Sequence, residues 1–218
     1  MIKNILFDFD GTLLNTNDVV IESFQHTYEH FLGHRVPVSK ITSNFGEPLQ
    51  ITLKREIPDV DTDVAVDYYR TYQVNEACRF AKEFPGVREM LEVLKEKGFR
   101  IAIVTSRTAV STWNFLKQFG LTEFFDEVIS CDDTVMHKPD PAPILCALSK
   151  LGAEKDESIM IGDGAFDIKC ANNAGVKSAL VGWRITGDSN PLVKECEADY
   201  EVETPADVIS LVENIQIA

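Results

Sequence analysis

The sequence predicts an α/β fold: a parallel sheet core with helices on both faces, and a small all-helical block inserted after the first strand. Three observations predict it. From Phe84 onward, short apolar runs alternate with amphipathic segments closed by glycines, which is the rhythm of parallel strands covered by helices. Between Asn15 and Phe84 no run reads as a convincing strand. Before that block, the apolar run Ile5-Leu6-Phe7 ends in Asp8 and Asp10, with Gly11 and Thr12 directly after them.

Taken in order, the first strand presents Asp8 and Asp10 on one face by its period of two, and Gly11 lets the backbone turn sharply after them. Asp18 to Leu32 carries Val20, Phe24, Tyr28 and Phe31 at helical spacing, with Asn15 and Asn17 able to cap its start. Gly33, Pro37, Gly46 and Pro48 break the pattern, and a short helix is expected over Leu49 to Arg55. Asp61 to Ala81 reads as a longer helix with Val64, Tyr68, Tyr72 and Phe80 near one stripe. Pro85-Gly86 then marks a boundary. Val87, Met90, Leu91 and Leu94 define a helix stopped by Gly98. Arg100 to Thr105, Glu127 to Ser130, Ser158 to Gly162 and Lys177 to Val181 read as strands, with Tyr200 to Glu203 a further candidate. The helices between them are Ala109 to Phe119, Ala142 to Leu151 and Phe166 to Ala174, and Thr204-Pro205 opens the last one.

In such sheets a ligand site lies beyond the carboxyl ends of the strands, so polar residues just after each strand carry the functional argument. Two clustered acids are unfavourable unless a cation or a shared proton relieves them. Asp8 and Asp10 are such a pair, and Asp163 and Asp167, after the fourth core strand, are a second. Four acids at one sheet edge fit a hard-cation site with oxygen ligands. Thr105 and Ser106 follow another strand and can donate to a phosphate oxygen, although a Thr-Ser pair is by itself more often a helix cap. Lys138 stands in His137-Lys138-Pro139-Asp140-Pro141, where the prolines stiffen the backbone. By itself it reads equally as a solvated charge, whereas for Asp167 the cation site fits better than a mere complement to a helix N-terminus.

Composition bounds the partners. The chain has 218 residues, is 44% apolar and carries a net charge of −14, so it can bury a large core and lacks the basic character of a non-specific nucleic-acid binder. An anionic substrate would be repelled overall, and a local cation must attract it. The five cysteines, Cys78, Cys131, Cys146, Cys170 and Cys196, include no Cys-x-x-Cys pair, so free thiols in a reducing compartment are expected rather than a disulfide framework or a thiolate metal site. No run approaches the ~20 apolar residues of a membrane span, and the N-terminal run is short and carries Asp. A cytoplasmic protein without membrane attachment is expected.

The order acid pair, hydroxyl, lysine, acid pair, opening with Asp8-Phe9-Asp10-Gly11-Thr12, resembles the four motifs of the haloacid dehalogenase superfamily in its phosphatase version. The resemblance implies a Rossmann-like core over 1–14 and 85–218, with 15–84 as a small helical cap. It implies that Asp8 is the nucleophile, that Asp10 is the general acid and base, and that Thr105 and Lys138 hold the phosphoryl oxygens, with Ser106 a weaker contributor. Magnesium would be bound by the Asp8 carboxylate, the Asp10 carbonyl and Asp163, with Asp167 behind them or acting through water. The substrate would be a small phosphorylated compound, attacked to give an aspartyl phosphate. Many relatives carry Ser, Thr or Asn where Gly164 stands, which removes a side-chain contact beside the metal. Asn15-Thr16-Asn17, Ser23 to Thr27, His137 to Pro141 and Gly182-Trp183-Arg184-Ile185-Thr186-Gly187 look like the phosphoglycolate phosphatase branch, nearest its bacterial pyrophosphatase members. Asp10 disfavours the metal-free dehalogenases. A phosphomutase and a non-catalytic phosphate-binding module stay open as alternatives. Specificity would reside in the cap, whose polar residues include His26, His30, Arg35, Lys54, Arg55 and Arg70.

Overall fold

The computed structural model describes residues 1–45, 47–183 and 197–215. Gly46, Arg184-Ile185-Thr186-Gly187 and Cys196, named above, lie outside them. The chain divides into two compact units, Met1–Leu14 with Glu83–Ala218, and Asn15–Lys82.

The first unit is built on six parallel strands in the order β5-β4-β1-β6-β7-β8. Here β1 is Asn4–Phe7, β4 is Arg100–Val104, β5 is Glu127–Ile129, β6 is Ser158–Gly162, β7 is Lys177–Val181 and β8 is Tyr200–Val202. The α/β expectation holds, including the candidate strand at Tyr200. The strands are apolar on both faces because helices cover both faces. All four residues of β1 are buried, and so are the last four of β4 and all five of β6. Helix α5 (Val87–Glu96) buries Val87, Met90, Leu91 and Leu94, the predicted stripe. Helices α6 (Ala109–Gln118), α7 (Ala142–Leu151) and α8 (Ala165–Ala174) follow in turn. Under α7 and α8 a core of Leu6, Ala102, Val104, Ile129, Ile144 and Met160, among others, joins the central strands. The last helix, α9 (Pro205–Asn214), opens where the Asp207 carboxylate reaches back to accept from both the Thr204 Oγ–H and the Thr204 N–H.

Register sets the site. Phe7 lies opposite Ile103 on β4 and opposite Ile161 on β6. The carboxyl ends of β1, β4 and β6 are therefore flush, and Asp8, Thr105 and Asp163 emerge together at one edge. The ladder continues past the strands, with Asp8 N–H donating to Ile161 O at 2.9 Å and Thr105 N–H to Ile129 O at 2.9 Å.

The second unit is helical, with α1 (Asn17–Leu32), α2 (Val38–Thr42), α3 (Leu49–Glu56) and α4 (Thr62–Asn75). Its core is Phe24, Tyr28, Ile41, Leu53, Ile57, Ala65, Val66 and Tyr69. Gln25 closes the loop after α1 by exchanging two hydrogen bonds with the Val36 backbone, at 2.7 and 3.0 Å. Asp61 caps α4 by accepting from the N–H groups of Asp63 and Val64.

Four sequence expectations need correction here. The buried stripe of α4 is Ala65, Val66, Tyr69 and Gln73, while Val64 is exposed. Tyr68 and Tyr72 sit on the flank, where Tyr68 stacks between His26 and His30 and Tyr72 stacks on His26. Two tyrosine-bearing stripes competed for the core, and the one adjacent to Ala65 packs closer. Helix α4 also ends at Asn75 rather than Ala81, because the chain must turn through a 3₁₀ segment (Ala77–Phe80) into an extended strand. That strand, β3 (Lys82–Glu83), pairs with β2 (Leu14–Asn15), a two-residue ribbon at the edges of a block in which no strand is legible. Finally, α2 was not expected, and at the start of α1 only Asn15 acts as a cap side chain, accepting from Asn17 N–H at 3.3 Å.

Candidate active site

All the sequence-predicted site residues lie in the first unit. Lys138 is their centre. Its Nζ donates to Asp8 Oδ1 at 2.6 Å, to Asp167 Oδ1 at 2.5 Å and to the Val104 carbonyl at 3.1 Å. All three charged side chains are buried. The turn carrying Lys138 is held from outside the site. Asp140 Oδ1 accepts the Ala142 N–H, Cys170 Sγ donates to Asp140 O, and Asn173 Nδ2 donates to Pro139 O. The Lys138–Pro139 peptide is cis. Burial pushes the Cys170 thiol up to about 12, so it stays a neutral donor.

Asp8, Asp163 and Asp167 bring carboxylate oxygens within 4.8 Å of one another. The donor set is oxygen only, and it can hold a hard divalent cation. Asp167 also ties the start of α8 by accepting the Gly164 N–H on Oδ2 at 3.1 Å. The helix-terminus reading of this residue holds through Oδ2, while its other oxygen accepts from Lys138.

Two glycines make room for the trio. Gly11 has φ +81°, and a Cβ there would collide with the Asp163 carboxylate. A Cβ on Gly162 would lie 2.5 Å from Asp167 Cβ and 2.7 Å from its Oδ2. Gly11 is fixed by conformation and space together, and Gly162 by space alone.

The electrostatics of the trio are unfavourable by design of the fold. Burial raises the Asp8 carboxyl to about 7, with Asp167 and Asp10 adding to the rise and Lys138 opposing it. Asp163 is raised well above the carboxylate range by burial, then by Asp8 and Asp167. Burial works against the Lys138 ammonium, but Asp167 and Asp8 outweigh it and hold the charge in place.

The remaining predicted residues divide. Thr105 is buried beside Val104, and its Oγ accepts the Arg107 N–H at 3.1 Å. Ser106 is exposed, and no described contact joins it to the group. Asp10, whose charge adds to the rise of Asp8 and Asp163, pairs with Arg107, whose Nε lies 3.0 Å from Oδ1 and 2.8 Å from Oδ2. Arg107 follows the same strand end as Thr105 and Ser106, but sequence reasoning gave it no role and did not foresee its pairing with Asp10. The signal was present, because Arg107 follows a strand end by the same rule that singled out Thr105.

Known proteins agree with this geometry. Residues 5–181 match the family model described as haloacid dehalogenase-like hydrolase. The chain is 38% identical over 212 residues to a pyrophosphatase PpaX from Halalkalibacterium halodurans, with 97% of each chain covered. A second pyrophosphatase PpaX, from Bacillus pumilus, is 36% identical and covers 97% of this chain and 96% of its own. Among solved structures, a haloacid dehalogenase-like hydrolase from Streptococcus pneumoniae superposes with a TM-score of 0.85 at 24% identity, covering 96% of this chain and 98% of that one. A predicted phosphoglycolate phosphatase from Haemophilus somnus gives 0.84 at 22% identity, with 96% and 97% covered. Among the described residues no helix is long and apolar enough to cross a membrane. Sheet order, flush strand ends, a buried lysine bridging two acids and a family match over most of the chain converge: the protein belongs to the haloacid dehalogenase-like hydrolase family.

Proposed function

We propose that the chain is a magnesium-dependent phosphatase that cleaves a small pyrophosphate- or phosphoglycolate-like substrate through an aspartyl-phosphate intermediate. The observation that carries this is the convergence of the Asp8, Asp163 and Asp167 carboxylates, with the buried Lys138 bridging Asp8 and Asp167. Among the described contacts, the four carboxyl groups of Asp8, Asp10, Asp163 and Asp167 stand with two cationic side chains, Lys138 and Arg107, so acids outnumber cations at this edge. A pure anion-binding site would not be built that way, whereas a divalent cation would balance it.

In this reading the Asp8 carboxylate attacks phosphorus while the bond to the leaving oxygen breaks and Asp10 gives that oxygen a proton. A water molecule, deprotonated by Asp10, then cleaves the aspartyl phosphate, releasing inorganic phosphate and regenerating Asp8. Lys138 and the Thr105 hydroxyl hold the phosphoryl oxygens, and Ser106, exposed beside Thr105, adds a weaker contact. Lys138 also fixes one oxygen of the nucleophile. Magnesium held by the Asp8 and Asp163 carboxylates and the Asp10 carbonyl, with Asp167 behind them, would offset the negative charge between nucleophile and substrate. We assign substrate choice to the Asn15–Lys82 unit, read as the cap. The two PpaX relatives, named as pyrophosphatases, support pyrophosphate as the first substrate to try.

The test is phosphate release from pyrophosphate, phosphoglycolate, sugar phosphates and p-nitrophenyl phosphate, with magnesium or with EDTA, for wild type and Asp8→Asn. Magnesium-dependent release abolished by Asp8→Asn supports the reading, and the best substrate identifies the activity. Release that survives the substitution removes Asp8 as the nucleophile.

A further inference from the structure

Arg107 is buried, yet it is a charged residue that the mechanism above does not use. Every part of it is fixed. Its N–H donates to Thr105 Oγ at 3.1 Å, and its carbonyl accepts the Cys131 N–H at 2.8 Å. Its guanidinium lies 4.6 Å from the Phe115 ring centroid and 5.9 Å from that of Phe9. Nη1 donates to Ser111 Oγ at 2.7 Å, and Nε spans both oxygens of Asp10. The partners differ in exposure, since the Arg107 side chain is 6% exposed and the Asp10 side chain 33%. Arg107 is therefore the more buried member of the pair, and its guanidinium holds both carboxylate oxygens of Asp10.

Stability does not explain this arrangement. A buried ion pair is about as stable as, or less stable than, apolar side chains of similar volume. What the guanidinium supplies that methionine cannot is direction: a planar donor that sets the rotation of a carboxylate.

We propose that Arg107 is a positioning residue for Asp10: seated on Phe115 and anchored by Ser111, it fixes the direction in which Asp10 passes its proton. The proposal rests on the acid–base role given to Asp10 above. Its consequence is a substrate-dependent defect. A leaving group that needs a proton should suffer when Arg107 is lost, and one that departs readily as an anion should not.

The experiment compares kcat/KM, which reports the steps up to departure of the leaving group, for p-nitrophenyl phosphate and for an aliphatic ester, phosphoglycolate or glycerol phosphate. The variants are Arg107→Met, Arg107→Lys and Asp10→Asn, each with magnesium. We expect Arg107→Met to lower kcat/KM for the aliphatic ester at least ten-fold more than for p-nitrophenyl phosphate. Asp10→Asn should show the same ordering with a larger ratio, and Arg107→Lys an intermediate one. Equal losses on both substrates would overturn the proposal and leave Arg107 a packing residue. If Arg107→Met does not fold, the ratio for Arg107→Lys decides by the same criterion. A wild type that shows no magnesium-dependent turnover of either ester removes the underlying reading instead, which is a different failure.

Discussion

Removing the proposed nucleophile should stabilise the metal-free protein. Asp8 is buried among other acids and shares Lys138 with Asp167. Its carboxyl is raised from 3.8 to about 7, by burial first and then by Asp167 and Asp10. A carboxyl raised on folding binds its proton more tightly in the native state, so its contribution is fully present below the unfolded value and is lost as pH rises through the folded one. At about 1.36 kcal/mol per pH unit, ionising Asp8 in the folded chain at pH 8 costs about 4 kcal/mol relative to the unfolded chain. Asparagine has the same shape, keeps an acceptor for Lys138 and carries no charge, so it escapes this cost. For a chain of this size 1 kcal/mol moves Tm by roughly 2–4 °C. Asp8→Asn should therefore melt roughly 8–16 °C above wild type in EDTA at pH 8, as an upper bound. The gap should shrink to less than half at pH 5, where native Asp8 already holds its proton. Magnesium should close the gap at pH 8 by stabilising wild type and hardly affecting the variant. The measurement is thermal unfolding by circular dichroism at both pH values, with EDTA and with magnesium. A variant no more stable than wild type at pH 8 in EDTA would refute the claim that the site is electrostatically overloaded without its cation.

Three further outcomes follow from the same contacts. Lys138→Met strips the ammonium from Asp8 and Asp167, and breaking such a buried pair should destabilise the metal-free chain by about 3–5 kcal/mol; urea unfolding should show part of this recovered in the Asp8→Asn/Lys138→Met double variant, and full additivity would mean that the pair is not coupled. Gly162→Ala places a methyl group 2.5 Å from Asp167 Cβ, so it should cost about 1–3 kcal/mol of stability by overpacking and displace Asp167 from Lys138, lowering p-nitrophenyl phosphatase activity at least ten-fold; wild-type activity would show that Asp167 can move freely. Tyr28→Phe in the helical unit removes a buried hydroxyl that has no hydrogen-bond partner and whose ionisation burial, then Glu56, opposes; Tm should stay constant or rise by the equivalent of about 1 kcal/mol, whereas a clear fall would reveal a partner for that hydroxyl.

How legible the protein is in its sequence depends on how local the deciding interactions are. The core was legible because β1, β4 and β6 are continuous apolar runs and because Val87, Met90, Leu91 and Leu94 keep helical period. The site followed from one topological rule, that chemistry lies past the carboxyl ends of parallel strands. That rule located Lys138, although its partner Asp8 is 130 residues away. It could also have pointed to Arg107, but nothing local says that Arg107 meets Asp10, 97 residues away in the chain. In the helical unit the tyrosines misled. Tyr68, Tyr69 and Tyr72 offer two faces of one helix, and only the stacking partners on α1, His26 and His30, decide which face stays outside the core. The two-residue strands β2 and β3 are too short to leave a periodic signal at all.

The polar residues of the helical insert show why substrate choice resists the same treatment. Arg35 pairs with Glu22, and Arg55 with Glu47 and Glu56, on exposed surface, where such pairs add little to stability. His26 and His30 are spent on stacking with tyrosines. Charge type alone therefore does not pick out a substrate contact among them. In the core the situation is reversed. A one-residue slip of β1 against β4 or β6 would turn Asp8 to the opposite face of the sheet, and an added methyl at Gly11 or Gly162 would collide with Asp163 or Asp167. The reaction centre is held by register and by steric necessity, and both act against the repulsion of its own acids. So unfavourable a cluster is relieved by a cation or by a shared proton, and the oxygen-only donor set of Asp8, Asp163 and Asp167 fits a hard divalent cation.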